Sequence, residues 1–101
     1  MSRFIKVASA SELGPGSSKK IELNGKEIAL FNVEGSFYAI DDMCPHRGGS
    51  LSEGFIESGV VSCPWHGWQF QLNSGECLTD PGICQTKYEV KVEGNDVLIN
   101  V

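Results

Sequence analysis

The chain has 101 residues and a formal net charge of −5 at pH 7, from 8 Lys and Arg against 13 Asp and Glu. This length fits one hydrophobic core, and the acidic balance argues against nucleic acid, whose binding needs a basic surface. The start, "MSRFIKVASASELG", has no signal-peptide apolar stretch, and no run approaches the roughly 20 apolar residues that span a bilayer. We therefore expect a cytoplasmic monomer without a membrane segment.

Short runs rich in β-branched and aromatic residues predict strands along most of the chain. Turn-forming pairs separate them, and Asn24-Gly25 is typical of a two-residue hairpin loop. Only Ser9 to Leu13 looks helical, because Ser9 and Glu12 have capping-box spacing, and Gly-Pro-Gly at 14–16 ends it after about one turn. The predicted strands are RFIKVAS (3–9), KKIEL (19–23), EIALFNV (27–33), SFYAI (36–40), VVSC (60–63), WQFQL (68–72), YEVKV (88–92) and DVLINV (96–101).

Strands linked by hairpins predict a nearly all-β fold, a small antiparallel sandwich or barrel. Two stretches rich in Gly and Pro, 41–54 and 72–84, show almost no periodicity, and such loops usually carry the functional site. We expect a single domain, 1–101, whose β framework is formed by 1–41 and 83–101. A loop-rich subdomain of about 42–82 is inserted in that framework.

Two short motifs in the loop-rich segment contain metal-ligand residues. Cys44 and His46 form C-x-H, and Cys63 and His66 form C-x-x-H. A thiolate and an imidazole presented twice in tight loops can converge on one metal centre. One interpretation is a zinc-stabilised structural or interaction module, because two Cys and two His make a tetrahedral set. The other is a two-iron centre with His on one iron, because each loop supplies one Cys and one His.

The pattern C-P-H-x₁₆-C-P-W-H-G-W resembles the Rieske [2Fe–2S] motif. The flanking stretches FYAIDDMCPHRGGSLSEG and LTDPG resemble the family as well, so the resemblance covers nearly the whole chain. It implies that Cys44 and Cys63 bind the inner iron, and that His46 and His66 bind the outer, solvent-facing iron. It therefore implies a cofactor, the Rieske-type [2Fe–2S] cluster.

Three further residues receive a role from the resemblance. Pro81 falls where the family places a proline loop that covers the cluster. Trp65 and Trp68 would belong to the apolar cover, although such aromatic residues also fit a plain core position. At the positions where high-potential relatives of cytochrome bc complexes carry a disulfide and Ser and Tyr hydroxyls, this chain has Gly49, Trp65, Trp68 and Phe70. Without those donors we expect the low end of the range of roughly −150 to +300 mV.

The resemblance implies a ferredoxin, a carrier that passes one electron from a flavoprotein NAD(P)H reductase to a terminal aromatic-ring dioxygenase. No histidine is left for a 2-His-1-carboxylate iron site, and no glycine-rich dinucleotide motif is present, so we expect no catalytic site. The alternative is the small subunit of an assimilatory NAD(P)H nitrite reductase. Residues 41–82 carry six acids and one base, Arg47, which would steer the His46/His66 tip toward basic partners.

Two cysteines, Cys77 and Cys84, match no ligand position of the motif. Their spacing would permit a disulfide that closes a loop. A cytosolic setting favours two free thiols instead.

Overall fold

The computed structural model describes residues 3–43, 49–64, 67–80 and 82–100. This part of the chain contains ten strands and two 3₁₀ turns, and every strand pairing is antiparallel, which confirms the predicted all-β class. None of its helical segments has the length and apolar character needed to cross a bilayer. The strands are β1 (Phe4–Ser9), β2 (Ser18–Leu23), β3 (Lys26–Val33), β4 (Ser36–Asp41), β5 (Phe55–Glu57), β6 (Val60–Ser62), β7 (Gln69–Gln71), β8 (Lys87–Tyr88), β9 (Val90–Glu93) and β10 (Asp96–Asn100).

The strands form three sheets. One sheet has the order β1-β10-β9, the second β2-β3-β4-β8, and the third, smaller one β5-β6-β7. The first two sheets join the beginning of the chain to its end, because β10 pairs with β1 and β8 pairs with β4. The third sheet lies within the loop-rich segment and carries Cys63 directly after β6.

The predicted hairpin at Asn24-Gly25 is present. It joins β2 to β3 with Leu23 opposite Lys26, and both turn residues have positive φ, 52° and 78°. A two-residue turn of this kind requires positive φ at both positions, which Asn and Gly tolerate best. The predicted helix from Ser9 is a single 3₁₀ turn, Ala10–Glu12, and the Glu12 carboxylate accepts a hydrogen bond from the Ser9 N–H at 2.9 Å.

Two strand predictions differ from the structure. The run 88–92 is divided, because Tyr88 pairs with Ala39 in β4 whereas Val90 pairs with Ile99 in β10. The chain therefore changes sheets at Glu89. The short strand β5 was missed, because three residues inside a glycine-rich stretch are too few to show a period of two.

Strand β3 lies between two hydrophobic cores. Ala29 and Phe31 belong to one core, and Ile28 and Leu30, which alternate with them, belong to the other. All four side chains are fully buried, as expected for a strand covered on both faces. The first core, beneath the β5-β6-β7 sheet, also contains Ile40, Leu51, Val61, Cys63, Phe70, Leu72 and Cys77. The second contains Ala8, Leu13, Ile21, Ala39, Tyr88, Val97 and Ile99.

Candidate metal centre

Of the predicted ligands, the structure describes Cys63 alone. Within the described ranges, no three Cys, His, Asp or Glu side chains come together as metal ligands, as expected when one ligand of four is described. Trp68 is described and lies half-buried against the first core, which agrees with the core interpretation of this residue. The remaining predicted site residues lie outside the described part: Cys44, His46, Trp65, His66 and Pro81.

The second Cys-His loop, residues 63–68, begins at a buried thiol. Cys63 is 3% exposed, and its N–H donates to the Trp68 carbonyl at 2.7 Å. The Gly67 N–H donates to the Cys63 carbonyl at 3.0 Å, and Gly67 has φ of +74°, a conformation that favours glycine. These two hydrogen bonds hold the ends of the loop together. A buried thiol at a fixed loop end suits a resident metal ligand.

The first Cys-His loop, residues 43–50, has its two ends joined by backbone pairing. Met43 forms an isolated antiparallel bridge with Ser50. The Leu51 N–H donates to the Asp42 carbonyl at 2.7 Å. The Asp42 carboxylate adds two more hydrogen bonds, from the Ser50 hydroxyl at 2.6 Å and from the Ser52 N–H at 2.8 Å.

Gln85 supports the same loop from a distant part of the sequence. Its Nε2 donates to the carbonyl oxygens of Asp41 at 2.9 Å and Met43 at 2.7 Å, and its side chain is buried. Neither Gln85 nor Ser50 belongs to a motif that is visible in the sequence. Sequence alone holds little signal for them, because amides and hydroxyls lie mostly at the surface.

The two loops leave the fold from adjacent positions. Strand β5, which follows the first loop, pairs with β6, which precedes the second, and Phe55 is opposite Ser62. A methyl group at Gly54 would overlap the backbone oxygen of Ser62. Only glycine at position 54 allows the two backbones to come this close. The end of the first loop therefore lies against the start of the second. The loop ends can therefore present both Cys-His pairs to one centre.

A third loop lies beside the second. The Leu78 N–H donates to the Gln69 carbonyl at 2.7 Å, and the Gln69 N–H donates to the Thr79 hydroxyl at 3.0 Å. The Asp80 N–H donates to the Cys77 sulfur at 3.3 Å. Residues 77–80, which lead to Pro81, therefore run alongside the end of the second Cys-His loop.

Cys77 and Cys84 are both free thiols in the structure. Cys77 is 1% exposed within the first core, whereas Cys84 is exposed. Their backbones lie in one narrow ribbon, in which Glu76 bridges Cys84 and the Cys77 N–H donates to the Ile83 carbonyl. Side chains on successive ribbon positions point to opposite faces, so this arrangement keeps the two sulfurs apart.

The charges around the loops are one-sided. No Lys or Arg occurs between residues 48 and 86. The four acids in that stretch, Glu53, Glu57, Glu76 and Asp80, are all exposed. The described salt bridges all lie in the framework, and one example joins Lys6 to Asp96 at 3.0 Å. The stretch 48–86 is thus acidic, and the one base of segment 41–82, Arg47, lies outside the described residues.

Comparison with known proteins gives the family. The model of the Rieske [2Fe–2S] domain matches residues 3–98. The ferredoxin component of a naphthalene 1,2-dioxygenase system from Pseudomonas aeruginosa is 35% identical over 100 residues, covering 98% of this chain and 96% of the relative.

Solved structures agree. In a complex of reduced oxygenase and oxidised ferredoxin of carbazole 1,9a-dioxygenase, a chain aligns with a TM-score of 0.88 and 32% identity, covering 95% of this chain and 91% of its own length. A structure named for the small subunit of an NADPH nitrite reductase aligns with a TM-score of 0.86 and 27% identity, covering 96% of this chain and 97% of its own length.

These findings confirm the resemblance and the cofactor that it implies, and they remove the reason to prefer a zinc module. The donor set agrees with them, because soft thiolates and borderline imidazoles are the ligands of this kind of cluster. With its Rieske-type [2Fe–2S] cluster, the chain belongs to the Rieske [2Fe–2S] domain family.

Proposed function

We propose that the chain is a low-potential Rieske ferredoxin. It carries one electron from a flavoprotein NAD(P)H reductase to the terminal oxygenase of an aromatic-ring dioxygenase system, in the cytoplasm and without a catalytic site of its own. One observation carries the proposal: the similarity to a dioxygenase ferredoxin component extends over 98% of this chain and 96% of the relative. By contrast, the chain aligns with only 29% of a terminal oxygenase of carbazole 1,9a-dioxygenase.

Cys44 and Cys63 would hold the inner iron, and His46 and His66 the outer iron. When bound, the cluster supplies reversible one-electron chemistry. Two thiolates and two neutral imidazoles leave the oxidised cluster formally neutral, whereas four thiolates would leave it with two negative charges. The proposed low potential is supported by Phe70, a fully buried apolar residue at a position where high-potential relatives place a hydroxyl donor.

The docking surface would include the His46/His66 tip and the adjoining outer face of the β5-β6-β7 sheet. Phe55 is 74% exposed and Leu78 is 42% exposed on this face. They lie at the two ends of one row, because Phe55 is paired with Ser62, Ser62 with Gln69, and Gln69 bonds to Leu78. An apolar contact surrounded by acids suits a partner surface with an apolar centre and Lys or Arg at its rim.

The cluster assignment is tested with purified protein and with His66→Cys. We expect wild-type protein to contain two irons and two acid-labile sulfides, with visible absorption and a low-average-g EPR signal after reduction. His66→Cys should lower the midpoint potential, because an added thiolate charge disfavours reduction. Cys84→Ser is the matched control and should leave the potential unchanged. A colourless protein with one zinc, or an unchanged potential in His66→Cys, would contradict the assignment.

The carrier role is tested by supplying both partners. Reduction by a flavoprotein NAD(P)H reductase, followed by single-turnover oxidation by a dioxygenase terminal component, would support it. The second candidate, a nitrite reductase small subunit, is favoured by the structural alignment at 27% identity. Stable assembly with a sirohaem-containing reductase, without electron delivery to any dioxygenase, would favour that candidate instead.

A further inference from the structure

Asp42 is an acid in an unusual place. It is 2% exposed, and the described salt bridges do not include it. Its carboxylate oxygens accept the Ser50 hydroxyl at 2.6 Å and the Ser52 N–H at 2.8 Å. Burying a charge destabilises the folded state even when hydrogen bonds satisfy it. An apolar residue would therefore give a more stable fold at a purely structural position.

The backbone of Asp42 extends the same cluster of hydrogen bonds. Its N–H donates to the Glu27 carbonyl in β3 at 3.0 Å, and its carbonyl accepts the Leu51 N–H at 2.7 Å. The Ser18 hydroxyl in β2 donates to the Ser52 carbonyl and attaches the far side of the loop to the framework. Through Asp42, both ends of the first Cys-His loop are connected to each other and to the β2-β3-β4-β8 sheet.

We propose that Asp42 is a positioning residue of the first Cys-His loop and that its carboxylate lowers the reduction potential of the cluster. The inference rests on the proposed function, which makes Cys44, two residues further on, an iron ligand. A negative charge inside the protein disfavours an added electron, and the low local dielectric makes a buried charge more effective than an exposed one. Asp42 thus accounts for part of the low potential by a route other than missing donors.

Asp42→Asn separates charge from geometry. The amide oxygen can accept the Ser52 N–H, and the amide NH₂ can donate to the Ser50 hydroxyl oxygen, so the number of hydrogen bonds is kept while the charge is removed. Glu53→Gln is the matched control, because Glu53 is an exposed acid near the end of the same loop. We expect Asp42→Asn to hold the cluster, with a midpoint potential shifted upward by more than in Glu53→Gln. A shift no larger than that of the control would overturn the electrostatic role.

Ser50→Ala keeps the charge and removes the two hydrogen bonds of the Ser50 hydroxyl, to the Asp42 carboxylate and to the Ser52 hydroxyl. It tests positioning even if Asp42→Asn loses the cluster. We expect its visible absorption to decay at least twofold faster under chelator than that of Ser36→Ala, and the EPR g values to change. Ser36 is an exposed serine at the start of β4. Decay and g values equal to those of Ser36→Ala would overturn the positioning role. Wild-type protein without iron would instead overturn the proposed function, so the two failures are distinguishable.

Discussion

The Tyr88 hydroxyl donates to Asp41 Oδ1 at 2.6 Å, next to the Asp42 hydrogen bonds. Burial, followed by the hydrogen bond and charge of the Asp41 carboxylate, raises the pKa of the Tyr88 phenol well above its ordinary value of 10.0. The folded protein therefore binds the phenol proton more tightly than the unfolded chain does. Stability from this group is present below pH 10 and is lost as the pH rises above that value.

Tyr88→Phe should lower the free energy of unfolding at pH 7 by about 1.5 kcal/mol, because a hydrogen bond to a carboxylate is removed. Between pH 10 and 11 the wild type should lose stability and the variant should lose less, so the difference between them narrows. Urea unfolding of both proteins at pH 7 and at pH 11 measures the difference in the free energy of unfolding. Tyr38 is present in both proteins and cancels in the comparison. A difference that is constant or grows with pH would contradict the prediction.

Individual residues could be proposed as ligands where a motif contains them, and these roles stay predictions. Cys63 was predicted as a ligand from spacing alone, and the structure places it buried at a fixed loop end. Asp42 and Gln85 were not predicted as supports. Their roles depend on partners that only the fold brings close, since Gln85 and Asp41 are 44 positions apart in sequence. A buried acid or amide has no local sequence signature.

At the level of elements, turns were easier to predict than sheet order. Asn24-Gly25 encodes its hairpin locally through residues that tolerate positive φ. The division of the run 88–92 between two sheets could not be predicted, because it depends on which distant strand, β4 or β10, each residue pairs with. Strand β5 is defined by its pairing with β6, and its three residues are too few to predict a strand from sequence.

Gly54→Ala tests the contact between the two loop ends. The new methyl group would overlap the Ser62 carbonyl, which is backbone in a paired strand and cannot move aside cheaply. We expect a loss of about 1–3 kcal/mol in the free energy of unfolding and a lower iron content. Gly14→Ala is the matched control, because Gly14 has an ordinary φ and no atom within 4 Å of an added Cβ. Equal iron content and equal thermal midpoints in the two variants would refute the proposed contact.

For the whole molecule, strand patterning predicted the all-β class, and the resemblance of the motif predicted the family. The arrangement in three sheets was not predicted, because the pairs β1-β10 and β4-β8 join opposite ends of the chain. The acidic loop end was visible in the sequence, but the exposed Phe55 was not, because aromatic residues are usually expected inside.

Phe55→Ser should slow electron transfer to the terminal oxygenase about fivefold, corresponding to about 1 kcal/mol of lost contact energy. Stopped-flow oxidation of the reduced protein measures this rate. Val92→Ser is the control, because Val92 is 46% exposed on β9, away from the Cys-His loops. Rising salt should slow wild type and Phe55→Ser alike, since the acids remain. The same rate in both serine variants would rule out docking through Phe55.

Strand β3 has no water-facing side along its centre, since Ala29 and Phe31 face one core and Ile28 and Leu30 face the other. Transplanting segment 42–82 to an unrelated scaffold would therefore remove its packing against Ala29 and Phe31, and expressing the framework alone would expose this face of β3 to solvent. We therefore expect the Cys-His loops and the framework sheets to unfold together as one cooperative unit.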